Sequence, residues 1–241
     1  MKKITCFLGL YYCFVFSGTL PAQEIPGDIK SNPLYSNIKE IINGPKWTYD
    51  KKYSGTSLLT GISWATGDVL YNGTRFEGIK MNYDLYTNEF IIFIPDEDEK
   101  KYVALSKESL EGFSFQDTVT GRKRYFEYSR FPGTSEKRLY EIAYDGESRF
   151  LICRNVLVSG RIANGFLGEY THSMTFYLKS DGQFRTFSTQ KELLKLLGDH
   201  TSELKRYIHS ANLKINKKNY ADIARLIGYS DKQKSLNRTG L

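Results

Sequence analysis

From Trp47 to Ser188 the chain alternates short runs of Val, Ile, Phe, Tyr and Thr with turn dipeptides, the pattern of antiparallel strands. Met174, Phe176 and Leu178 alternate with Thr175, Tyr177 and Lys179, so this segment reads as a strand with one packed and one wet face. Phe90-Ile91-Ile92-Phe93-Ile94 lacks that alternation. A strand apolar on both faces belongs in the middle of a sheet with material packed on each side, and the C-terminal helices are the expected cover. Asn72-Gly73 separates Asp68–Tyr71 from Thr74–Glu77 and supplies the two positive φ angles of a tight hairpin. Asp145-Gly146 is read the same way between Leu139–Tyr144 and Arg149–Val158, as is Ser180-Asp181-Gly182 between Met174–Leu178 and Phe184–Phe187. Roughly ten to twelve strands are predicted.

At Thr189 the period becomes helical. Thr189-Gln190-Lys191-Glu192 is a capping-box pattern, in which hydroxyl and carboxylate each satisfy an orphan backbone donor. The first helix runs to Leu197 and is stopped by Gly198. Asp199 is placed to cap a second, carrying Leu204, Tyr207, Ile208 and Ala211, and a third presents Tyr220, Ile223, Ala224 and Ile227. Both sets have the spacing of one buried stripe. The predicted fold is mainly β (α+β): an antiparallel β-meander, forming a curved sheet or partial barrel, with C-terminal helices packed on it.

The N-terminus has a different pattern. Lys2-Lys3, an apolar run from Ile4 to Phe16 and then Ser17-Gly18-Thr19-Leu20-Pro21-Ala22-Gln23 read as a signal peptide cleaved after Ala22 or Gln23. The run is shorter than the about 20 residues a membrane span needs, so the mature protein is expected to be exported, periplasmic or secreted, with no transmembrane segment after cleavage. Lipid anchoring is not expected, because Cys6 follows Thr5 and Cys13 follows Tyr12 rather than a small residue. The expected organisation is signal peptide 1–23, extended lead 24–46, antiparallel β domain 47–188, basic helical segment 189–230 and flexible tail 231–241.

Composition and charge narrow the possibilities further. With 241 residues, 40% hydrophobic and 25% charged, the chain is neither intrinsically disordered nor collagen-like. Removing the leader leaves Cys153 as the single cysteine, so no intrachain disulfide can form. Its apolar context, Phe150-Leu151-Ile152-Cys153, reads as a buried small hydrophobe. The formal charge of +7 falls to +5 in the mature chain, and residues 189–241 carry 11 basic against 5 acidic groups while residues 24–188 carry 21 against 22. This localised charge is either a solvated outer helix face or a surface for an envelope protein, a glycan or an anionic surface. Nucleic acid is not an expected partner, since no recognised motif is present.

Two stretches, Met81-Asn82-Tyr83-Asp84-Leu85-Tyr86-Thr87-Asn88-Glu89-Phe90 and Glu203-Leu204-Lys205-Arg206-Tyr207-Ile208 continuing to Asn212-Leu213-Lys214-Ile215, resemble uncharacterised exported proteins of Bacteroidetes. The resemblance implies a strand-turn-strand segment followed by a β-rich body and a basic helical end, and no known activity. Those proteins often carry Arg-Tyr-Asn where this chain has Asn82-Tyr83-Asp84. Physically the first stretch is a hairpin with Tyr83, Leu85 and Phe90 packing and Thr87-Asn88 as the turn, where Asn tolerates positive φ. Asp117-Thr118-Val119 resembles the short acceptor pattern for O-linked sugar in the same exported proteins, which implies that Thr118 is glycosylated.

No catalytic constellation is legible. Gly61-Ile62-Ser63-Trp64-Ala65 only loosely matches a nucleophile elbow, which requires a following helix, and a strand is expected instead. A Cys153–His172 pair would need a proximity that sequence does not supply. His172, His200 and His209 lack metal-ligand spacing, and Asp96-Glu97-Asp98-Glu99 lacks the spacing and Gly of a calcium loop. Gly160 to Gly168 contains no phosphate-loop pattern, so no cofactor is implied. This long loop can carry binding, which singles out Arg161, Asn164 and Phe166. Trp47, Trp64 and the many Tyr suit sugar stacking as well as core packing. The expected function is a non-enzymatic, envelope-associated binding or accessory protein. The alternatives are a carrier of a glycan or apolar ligand in a concave sheet, or an unrecognised hydrolase.

Overall fold

The computed structural model describes residues 44–49, 51–94, 101–130, 136–160, 165–180, 182–198 and 200–239. The expected signal peptide, most of the lead, Asp96–Glu99, Arg161 and Asn164 lie outside them. Ten strands, β1 (Ala65–Tyr71), β2 (Thr74–Asp84), β3 (Glu89–Ile94), β4 (Lys101–Leu105), β5 (Leu110–Gln116), β6 (Lys123–Arg130), β7 (Lys137–Asp145), β8 (Arg149–Ser159), β9 (Glu169–Ser180) and β10 (Gln183–Phe187), form one antiparallel sheet. The meander is interrupted once. Its order is β10-β9-β8-β7-β6-β5-β1-β2-β3-β4, so β5 pairs beside β1 instead of beside β4.

That interruption forces curvature. From Leu105 to Leu110 the chain takes five residue steps, a reach of about 17 Å, while four strand spacings on a flat sheet exceed about 19 Å. The sheet closes the difference by coiling, which brings Phe90 of β3 within 4.9 Å of Phe113 of β5 although two strands lie between them. The concave face of β1–β7 is filled with its own side chains, including Met81, Tyr83, Phe90, Phe113, Phe115 and Phe126. The sheet is not closed into a barrel. A strap, residues 52–59, links its distant parts: Leu59 N–H donates to Tyr83 O, and Ser54 N–H donates to Gly168 O while Tyr170 N–H donates to Ser54 O.

Glycine makes the tightest approaches possible. A Cβ on Gly67 would lie 1.9 Å from the Ser114 carbonyl oxygen, beside the register shift between Gly67 and Val69. The Asn72-Gly73 hairpin forms as predicted, with φ of 50° and 73°, and Asn88 turns β2 into β3 at φ 61°. Gly182 also has positive φ, 74°. The Asp145-Gly146 turn differs from expectation. Gly146 does not adopt positive φ, and the connection spans residues 146–148; the Tyr144 hydroxyl packs where a Cβ would stand, 2.2 Å away.

β3 differs too. It lies second from the sheet edge rather than centrally, and its outer face is covered by Trp47 and Leu58 against Ile91 and Ala104. The helices cover another region. α1 (Gln190–Leu197), α2 (Thr201–Ser210) and α3 (Tyr220–Thr239), with a 3₁₀ turn at Lys217–Asn219, bury Leu193, Leu197, Leu204, Ile223 and Ile227 against Phe150, Ile152, Phe176 and Leu178 of β8 and β9. The capping box forms: Glu192 N–H donates to Thr189 Oγ1 at 3.2 Å, and the Glu192 carboxylate accepts from Ser188 and Thr189 N–H at 2.7 and 3.3 Å. Asp199 lies outside the described residues, and His200 at the α2 N-cap makes no side-chain capping bond. α3 continues to Thr239, through most of the expected flexible tail. The physical reason is Asp231, buried where its carboxylate accepts from Ser148 N–H and Oγ–H, both at 2.7 Å.

Candidate functional site

The concave face changes character where the aromatic filling ends and the helical cover begins. Arg124 shares a face with Phe126 on β6, Glu141 with Leu139 on β7, and Arg154 with Ile152 on β8, because alternate residues of a strand point the same way. Pairing aligns these positions: Phe126 opposes Glu141, and Glu141 opposes Ile152. The three charges therefore meet inside the protein. Arg124 grips Glu141 with two bonds, Nε to Oε1 at 2.9 Å and a terminal nitrogen to Oε2 at 2.8 Å. Arg154 adds bonds of 2.9 and 2.6 Å to Oε2, and the Tyr220 hydroxyl at the start of α3 donates to Oε1 at 3.3 Å.

Glu141 is only 4% exposed. Burial by itself would push its carboxyl up, but the bonds and charges of Arg124 and Arg154 outweigh this and hold it below its ordinary value. Aromatic rings brace both cations: Arg124 lies 5.4 and 5.0 Å from the Phe115 and Phe126 ring centres, and Arg154 lies 5.5 Å from that of Tyr220. Asp117 takes a further bond from Arg124 at 3.5 Å, so the two guanidinium groups are matched by two carboxylates.

Above this cluster, between β6–β7 and α3, opens a cleft of about 640 Å³. Its lining carries five cations, Arg122, Lys123, Arg124, Lys218 and Arg225, against two acids, Glu141 and Asp222. Lys123 pairs with Asp68 at 3.2 Å and Arg225 with Asp222 at 3.4 Å. Among the described residues, Arg122 and Lys218 are exposed and carry no ion pair. The arrangement is suited to attract an anion, with Tyr144 and Tyr220 offering apolar ring surface beside the charges.

The residues singled out from sequence lie elsewhere. Phe166 is 37% exposed, next to Leu167, whose N–H donates to Lys52 O. Thr118 is exposed in the β5–β6 turn. Ser63 leads directly into strand β1, not a helix. Cys153 is buried, and burial pushes its thiol up; His172 Nε2 lies 2.7 Å from Thr56 O. His200 lies 3.8 Å from Glu203. No group of three or more His, Cys, Asp or Glu among the described residues is placed to hold a metal.

The Arg124–Glu141–Arg154 cluster was not found from sequence, although a signal existed. On each of three strands a charged residue occupies the phase otherwise held by buried aromatics and aliphatics. Strand pairing is needed to see that the three meet.

The fold and cleft together define a coiled, open ten-stranded antiparallel sheet with a helical cover and a basic seam. Comparison with protein-family models, with characterised proteins and with solved structures finds no match.

Proposed function

We propose that this chain is an exported, non-enzymatic binding or accessory protein whose cleft beneath α3 receives an anionic group of an envelope component. The observation that carries this reading is the surplus of cations around the cleft, with Arg122 and Lys218 exposed and unpaired among the described residues while Glu141 is committed to Arg124 and Arg154. The cleft is preferred to the sheet concavity as the binding place because Phe113 and its neighbours already fill that concavity.

The test is a titration of inorganic phosphate and of an acidic oligosaccharide into isotopically labelled full chain at low and high salt. Saturable shifts at Arg122, Lys218 and Tyr220 are expected, weakening as salt screens the charges. The double change Arg122→Gln, Lys218→Gln should reduce affinity about tenfold, the loss of two partly screened charge interactions. Shifts confined to the lysines of α1 and α2 would overturn the reading.

A further inference from the structure

We infer that the chain docks on an anionic lipid bilayer, with the loop tips at Ile62 and Val119 entering the acyl region while the adjoining basic cleft holds a headgroup phosphate. The inference rests on the cleft being an anion site and adds its source. Ile62 and Val119 are the most exposed large apolar residues among those described, at 82% and 92%. They are not distant from each other: Thr60 and Ser63, flanking Ile62, and Val119 itself wall one cavity of about 250 Å³. Arg124 lines both that cavity and the basic cleft, and Thr120, next to Val119, lines the cleft, so the Val119 tip adjoins the cations.

Both tips are braced outward. Asn82, itself 2% exposed, donates from Nδ2 to Gly61 O and Ser63 O, both at 3.1 Å, and accepts from Thr60 N–H at 3.3 Å. Asp117 accepts from the N–H groups of Val119 and Thr120 at 2.9 and 3.0 Å, and Gly121 N–H donates to Asp117 O at 2.8 Å. A loop that merely tolerated an exposed aliphatic residue would gain by folding it back. Here a buried amide and a half-buried carboxylate hold two of them in water. Trp64, two residues after Ile62, and Arg122, three after Val119, are residue types that suit the headgroup layer. Charge complementarity selects an anionic bilayer over an uncharged apolar partner. Among the described residues no helix is long and apolar enough to cross a membrane.

The experiment is flotation of the full chain with vesicles of phosphatidylglycerol and of phosphatidylcholine, beside titration with inorganic phosphate. Binding to phosphatidylglycerol alone is expected. Ile62→Asp and Val119→Asp should each weaken it about tenfold or more while leaving phosphate binding unchanged, and at exposed positions neither should disturb folding. If phosphate binds and the vesicles do not, or if the Asp variants float like the parent, docking through these tips is overturned and the anion cleft stands. If neither phosphate nor vesicles bind, both readings fall.

Discussion

Replacing Glu141 by Gln would leave Arg124 and Arg154 beside a neutral amide at a site that is nearly closed to solvent. Breaking one partner of a buried ion pair costs about 3–5 kcal/mol because the remaining charge is uncompensated, so the urea midpoint should fall markedly. The pH dependence follows from the direction of the shift. Burial opposes ionisation of Glu141, but its two arginines prevail and hold the carboxyl below its ordinary value in the folded protein. A depressed folded value means that its stabilisation is complete above the unfolded carboxylate range and is lost as pH falls through the folded value. Unfolding curves measured from neutral to acid pH should therefore show an acid limb that is shallower in Glu141→Gln.

At the scale of elements, coiling depends on places where backbones approach more closely than side chains permit. Gly67→Ala would press a methyl group into the Ser114 carbonyl, shifting β1 away from β5 at the residue where its pairing with β2 already slips. Overpacking of this kind costs about 1–3 kcal/mol, and thermal denaturation should detect it. Gly67 was not singled out in the sequence, whereas Asn72-Gly73 and the capping box were, for one reason. Turns and caps are made by neighbours in the chain, so their chemistry is written locally. The need for glycine at position 67 arises from a strand more than 40 residues away, which no local pattern reveals.

For the whole molecule, the helical segment decides whether the open half of the sheet can exist in water. Leu193, Leu204, Leu226 and Ile227 cover Phe150, Ile152 and Phe176, so a chain truncated after Ser188 would expose a continuous apolar face. Such a form should aggregate or bind a hydrophobic dye, as judged by size-exclusion chromatography, rather than remain a soluble monomer. A truncated form that stayed folded and monomeric would mean that the helices are chiefly a docking tail. The extension of α3 past Ser230 belongs to this scale as well. Residues 231–239 look polar and expendable in sequence, but Asp231 is tied to the β7–β8 turn, 83 residues away.

Period-two alternation, Asn-Gly turns and the switch to a helical period at Thr189 were enough to specify a mainly β chain ending in helices, because each is set by residues within one or two turns of chain. The basic charge of the C-terminal segment was equally legible, being a property of composition. The partner of each strand, the coiling that brings Phe90 to Phe113, and the identity of the cover on β3 depended on long-range packing. The candidate site depended on it most. Arg124, Glu141, Arg154 and Tyr220 span almost a hundred residues, and only sheet register and the docking of α3 bring their charges to one place. Electrostatics acts through distance in space, and the order of residues along a chain does not record it.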